Sequence, residues 1–146
     1  MTAFQFRLRK VLDWRRTRLE LEEANYRRHA AILAEIDRRD AEVASAAQAA
    51  EQNVRAWNPV AGLDLDALDV YRLHAKGMRK ELAATRAEAL RRLAAQQAVM
   101  LEARRKVRLL ERLKEQRLAE WQAALDQETE QTAAESYLAH WHKRLL

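Results

Sequence analysis

From Phe4 to Trp57, and again from Leu63 onward with the exception of Gly77, the chain carries no residue that stops a helix. Its single proline, Pro59, and one of its two glycines, Gly62, fall in the same short stretch. A chain so poor in turn residues cannot build the many strands and tight turns of an all-β or α/β domain, because those turns need glycine for positive φ and proline to pre-set φ. Long helix is what remains, with one place to break it. Composition supports this: 34% of the 146 residues are charged, 6% are aromatic, and alanine supplies much of the 49% hydrophobic content. Such a mix buries a stripe along a helix.

In the first half the stripe runs Leu8, Leu12, Leu19, Tyr26, Leu33, Ile36, Val43, Ala47, Ala50, Val54 and Trp57, with spacings that alternate three and four. Arg15, Glu22, His29 and Asp40 interrupt it. Polar residues on a seam weaken packing but fix register and partner choice. At Trp57-Asn58-Pro59-Val60-Ala61-Gly62 the helix is expected to end, since Pro59 disfavours helix at Asn58 and Gly62 can take positive φ. Asp64 or Asp66 is placed to accept a hydrogen bond from a free N–H of the next first turn. A second stripe then follows Leu65, Leu68, Ala75, Leu82, Ala89, Leu93, Met100, Ala103, Val107, Leu110, Leu113, Trp121, Leu125 and Leu138, with apparent stutters at Leu82–Leu93 and Leu113–Leu125.

The expected fold is all-α: one domain over 1–146, in which two long helices form an antiparallel coiled-coil hairpin and the second is longer than the first. The boundaries read as helix 1 at about 4–57, a turn at about 58–64 and helix 2 at about 65–145. A fold about position 61 sets Leu12 beside Leu110 and Phe4 near Leu118, and leaves roughly the last 28 residues without an intramolecular partner.

Little in the sequence is suited to catalysis. Two glycines build neither a phosphate loop nor a dinucleotide fingerprint, and no serine-centred elbow is present. With no cysteine, disulfides and thiolate metal sites are ruled out, and a reducing compartment is the natural one. His140 and His142 lie two apart and so diverge on a helix, whereas a metal site on one helix wants ligands four apart. Neither enzyme activity nor a metal or cofactor is expected. No run approaches the ~20 apolar residues of a membrane span, and MTAFQFRLRK lacks the apolar centre of a signal peptide, so a cytoplasmic protein without membrane insertion is expected.

Charge is distributed unevenly. The net charge of +5 is modest for a dedicated nucleic-acid binder. It is concentrated in Arg7, Arg9, Lys10, Arg15, Arg16 and Arg18, and in Arg104, Arg105, Lys106, Arg108, Arg112, Lys114 and Arg117. The hairpin register sets these two clusters side by side as a basic collar, suited to an acidic protein surface. Leu118 to Leu138 then holds five acids and no Lys or Arg, before Lys143 and Arg144 close the chain. Aromatics gather at the ends, Phe4, Phe6 and Trp14 at one and Trp121, Tyr137 and Trp141 at the other, as anchors for a partner or as local packing.

The opening Phe4-x-Phe6-Arg7-Leu8-x-x-Val11-Leu12-Asp13-x-Arg15-Arg16, followed by Glu20, Glu23 and Ala24, resembles the start of the FliJ family of flagellar type III export proteins. Arg104-Arg105-Lys106, Leu110-Glu111, Leu113-Lys114-Glu115 and Arg117-Leu118 are similar to that family's second-helix pattern. The family's acidic pattern near the C-terminus is matched only loosely, by Glu128 to Glu135. The resemblance implies a stalk that enters the export ATPase hexamer, promotes its assembly, links it to the cytoplasmic domain of the export gate and escorts substrate chaperones. It places the protein at the cytoplasmic face of the inner membrane. It points to Phe4, Leu8, Arg15, Arg16, Arg112 and Trp121 as partner-binding residues, to which the grouping of aromatics at the ends adds Phe6 and Trp141. The alternatives are the equivalent stalk of an injectisome, a nucleic-acid-binding coiled coil using the collar, and a structural dimerising rod.

Overall fold

In a computed structural model that describes residues 2–57 and 59–146, the chain is all-helical. Helix α1 runs Arg9–Ala56, 48 residues, and α2 runs Gly62–Leu145, 84 residues. The second helix is the longer, as the breaker positions require, and no strand occurs among the described residues. The chain divides into two compact units. The terminal unit joins Met1–Leu19 to Glu102–Leu146, and the hairpin unit is Glu20–Leu101. In each, a piece of α1 packs against a piece of α2 running the opposite way.

The hairpin unit follows from the heptad stripe. Ile36 and Val54 of α1, with Leu68, Ala75, Ala89 and Met100 of α2, are buried. On α2, covered positions recur every seven residues through Leu68, Ala75, Leu82, Ala89 and Gln96, so the expected stutter at Leu82–Leu93 is absent. Arginines explain why one had been inferred: Arg72, Arg79 and Arg86 fill the other seam column, where an apolar reading finds gaps. Each crosses to a carboxylate of α1. Arg72 reaches Glu51 at 2.8 Å, Arg79 makes a two-pronged contact to Asp40 at 2.9 and 3.2 Å, and Arg86 donates to Asp37 at 2.7 Å. Their heads stay half in solvent while the stems lie along the seam, the usual compromise for a long cationic side chain.

Two of the polar interruptions therefore carry bonds between the helices. Asp40 holds Arg79, and Glu22, only 8% exposed, accepts a 2.6 Å hydrogen bond from the Gln96 amide, which also donates to the Glu22 backbone carbonyl at 3.2 Å. Arg39 and Arg38 bond Glu35 along α1 itself, and Arg38 also bonds Glu42.

At the turn, α2 begins three residues earlier than expected. The Ala61 N–H donates to the Asp64 carboxylate at 3.2 Å, and the Ala61 carbonyl accepts from the N–H groups of Asp64 and Leu65 at 3.1 and 3.3 Å. Ala61 is thus the cap, and Asp64 closes back on it from inside the first turn, where a negative charge also suits the helix dipole. Gly62 is consequently a helical residue and not a positive-φ turn residue. Asn58, expected to be kept from the helix by Pro59, lies outside the described residues. A Cβ at Gly77 would meet nothing within 4 Å, so α2 merely tolerates this glycine.

In the terminal unit α1 opens at Arg9, not near position 4. Residues 2–6 are non-helical, and the first turn is tied by the Arg9 N–H to the Phe6 carbonyl at 3.1 Å and the Leu12 N–H to the Leu8 carbonyl at 2.9 Å. Phe4 and Phe6 are both half-buried. On an extended chain residues two apart share a side, whereas on a helix they diverge, so straightening lets both rings turn inward. Leu12, 1% exposed, and Val107 form the buried centre of this unit. No helix among the described residues is long and apolar enough to cross a membrane.

Replacing Leu12 by alanine should cost about 2–5 kcal/mol, the usual loss for a fully enclosed leucine. The same change at Leu138, which is exposed, should stay within about 0.5 kcal/mol in dilute solution. Thermal or urea unfolding of the two variants measures the contrast, and equal losses would contradict the packing described.

Hydrogen bonding from Arg38, aided by Arg39, holds the Glu35 carboxyl down at about 2, and the Arg79 hydrogen bond holds Asp40 below the ordinary aspartate value. A carboxylate whose pKa is lower folded than unfolded stabilises the fold above its unfolded pKa, near 4, and loses that contribution as pH falls. Stability should therefore decline from about pH 4 downward, with the Glu35 share gone only below about pH 2. Asp40→Asn should flatten part of this decline in denaturation curves recorded between those limits, and an unchanged profile would remove the Asp40–Arg79 bridge as a contributor.

Candidate partner-binding surface

The terminal unit holds an open concavity among the described residues. Phe4, Phe6 and Leu8 from the N-terminal arm and Leu113, Arg117 and Trp121 from α2 line an open groove of about 940 Å3. Phe4 and Trp121 stack with ring centroids 6.0 Å apart and planes tilted by 53°, within the range favoured by aromatic pairs. The expected neighbour of Phe4 was Leu118; Trp121 lies three residues farther along α2. The extended arm accounts for the difference, since it advances about 3.3 Å per residue against 1.5 Å for a helix and reaches farther along α2.

Around this groove the charge is mainly positive. Arg16 crosses to Glu111 at 3.3 Å, bringing the arginine-rich start of α1 alongside the basic stretch of α2 within this unit, as the collar expectation required. Arg15 lies with its guanidinium carbon 4.7 Å from the centroid of the exposed Trp14 ring, a cation–π contact between chain neighbours. Arg117 pairs with Glu120 at 3.2 Å and Arg105 with Glu102 at 3.9 Å. Arg112 is exposed on α2.

Of the eight residues singled out in the sequence, Phe4, Phe6, Leu8 and Trp121 meet at one groove, which Arg7 and Arg117 also line, and Arg15, Arg16 and Arg112 stand elsewhere in the same unit. Trp141 does not join them. It lies 20 residues beyond Trp121 on the same helix, roughly 30 Å along the axis. There it lines a shallow depression with Ser136, Tyr137, His140 and Arg144. Every residue from Asp126 to Leu146 is exposed. Leu113, Arg117 and Glu111 were missed as site residues because their role comes from the register between two distant segments.

A second apolar surface went unread. In the hairpin unit Leu63, Val70 and Leu73 are exposed on α2, next to Asp64, Asp66 and Asp69. Leu65, placed on the seam by its spacing, is exposed as well, while Leu68 takes the buried position. No group of three or more metal-ligating side chains occurs among the described residues. No family model, curated protein or solved structure matches the chain.

Proposed function

We propose that the chain is a stalk component of a flagellar type III export apparatus, acting through its terminal unit on a ring-forming export ATPase. The reading rests on the resemblance of Phe4 to Arg16 and Arg104 to Leu118 to the FliJ family, and the groove carries it furthest. The first of the two stretches that bear the resemblance supplies Phe4, Phe6 and Leu8 to the groove and the second supplies Leu113 and Arg117, with Trp121 three residues beyond it. A groove with aromatic anchors inside and arginines on its rim suits an acidic protein surface, because buried rings supply affinity and charges steer the encounter.

The mechanism requires no catalysis by this chain. Two helices side by side have a width of roughly 20 Å, narrow enough for a pore bounded by several ATPase subunits. A ligand that binds the assembled ring more tightly than the isolated subunit shifts the equilibrium toward the ring by mass action. Faster ATP turnover would then come from assembly. In this reading the exposed end of α2 contacts the cytoplasmic domain of the export gate or the chaperones of export substrates, and the protein works peripherally at the inner membrane. The equivalent role in an injectisome rests on the same residues. The basic surface is also compatible with nucleic acid, but the net charge of +5 is modest for that role.

The decisive measurement is ATP turnover by the export ATPase of the same cell, with the full chain added. Stimulation is expected together with copurification, and Arg16→Glu combined with Arg112→Glu should cut the stimulation by about tenfold or more, as expected when rim charges that steer binding are reversed. Phe4→Ala should weaken binding as well. Absence of both stimulation and copurification would remove the proposal. A steep salt-dependent affinity for DNA in its place would favour the nucleic-acid reading, and activity only with an injectisome ATPase would favour the other stalk.

A further inference from the structure

The last stretch of α2, Gln122–Leu145, leaves an apolar face uncovered among the described residues. Leu138 is 62% and Trp141 55% exposed, and Ala134 and Leu145 are exposed on the same face. The spacing from Ala134 through Leu138 and Trp141 to Leu145 alternates four, three and four, so these side chains form a coiled-coil seam with no second helix on it. Gln127 and Gln131 continue that seam without charge.

Charges beside the seam say which partner fits. Glu130 and Arg144 flank one side of it, and Glu128 and Glu135 the other. The segment is acidic in its middle and basic at its tip, and is therefore complementary to its own reverse. We propose that this segment is a self-association element, in which the same segment of a second copy docks antiparallel. Alignment of Ala134 with the second copy's Leu138, and of Leu138 with its Ala134, puts small against large in the two central layers. It also brings Glu130 beside the second copy's Arg144, twice by symmetry, and sets the two Tyr137 rings across the dyad. The only like-charge contact is Glu135 with its own copy.

A parallel pair is worse electrostatically. Glu130 would then face Glu135 of the other chain on both sides, and no attractive pair would replace Arg144. Anionic membrane is disfavoured because acids border the seam, whereas a surface helix that binds such lipid carries Lys and Arg there. The inference is independent of the ring-binding reading and holds or fails without it.

Sedimentation equilibrium of the full chain over a wide concentration range tests it. The mass should rise from 17.0 kDa toward twice that value. Leu138→Glu should weaken the association by about tenfold or more, since two leucines leave the interface and two charges enter it. Arg144→Glu should weaken it, and adding Glu130→Arg to that variant should restore it, a rescue that general stickiness does not produce. Orientation is read from spin labels, which can be placed singly because the chain has no cysteine. Labels at Gln122→Cys should sit about 42 Å apart along the axis and those at Ser136→Cys side by side. A mass of 17.0 kDa throughout, a dimer indifferent to Leu138→Glu, or equal label distances at the two positions would each overturn the proposal. Circular dichroism of each variant, expected unchanged, confirms that its helices are intact.

Discussion

The bond from the Gln96 amide to the buried Glu22 carboxylate ties α1 to α2 inside the hairpin unit and favours one register. The apolar seam contributes as well, because on α2 Leu68, Ala75, Leu82 and Ala89 alternate large and small, so a slide of one heptad would exchange them layer by layer. The arginine rungs are more forgiving, because Arg72, Arg79 and Arg86 are themselves spaced by sevens. After such a slide Arg79 would stand opposite Glu51 and Arg86 opposite Asp40, with one rung lost. Glu22 differs. The slide would bring Ala103 opposite it in place of Gln96 and take away the amide that meets its charge, and losing a partner inside a low-dielectric contact costs far more than losing one at the surface.

This division of labour follows from exposure. The arginine rungs are about half in solvent, where water and salt screen each pair and holding two long side chains in place costs entropy. Several of them along one edge keep α1 and α2 aligned in angle, while the buried pair sets the position along the axis. In the terminal unit the same two functions pass to different chemistry. Leu12 and Val107 supply the burial, the tilted Phe4–Trp121 ring pair adds an aromatic contact, and Arg16–Glu111 forms a rung across the helices.

The helices and the break between them were legible because three- and four-residue spacing leaves few alternatives in a chain with one proline. Polar seam residues were legible as register devices, but not their partners: nothing near Gln96 or Arg79 in the sequence marks them as opposite Glu22 and Asp40. The arginine column read as a stutter because a search for apolar periodicity sees a cation as a gap, although its stem packs like a hydrophobic residue. The start of α1 was misplaced for a related reason. Leu8 and Leu12 have helical spacing, and nothing local opposes helix at Phe4. The arm is extended because two rings two residues apart can both reach α2 only from an extended chain. Leu113 was legible as a seam residue and Arg117 as part of the basic collar, but not as walls of a groove, for want of that arm.

The exposed end of α2 brings these threads together. Helices lacking a packed face depend on intrinsic propensity, and Gln122–Leu145 is rich in Ala, Glu, Gln and Leu, which suit a helix that stands alone. Yet Leu138, Trp141 and Leu145 have no place on such a helix for solubility's sake; a segment meant only to remain in water would carry more charge there. If this seam serves both a second copy and a larger assembly, the two occupants exclude one another, since each needs the face from Ala134 to Leu145. Mass action then makes self-association a competitor whose strength grows with concentration. In the proposed self-pair Glu130 and Arg144 meet at the edge of the seam, where salt screens them, so self-association should weaken as ionic strength rises while the burial of Leu138 and Trp141 does not.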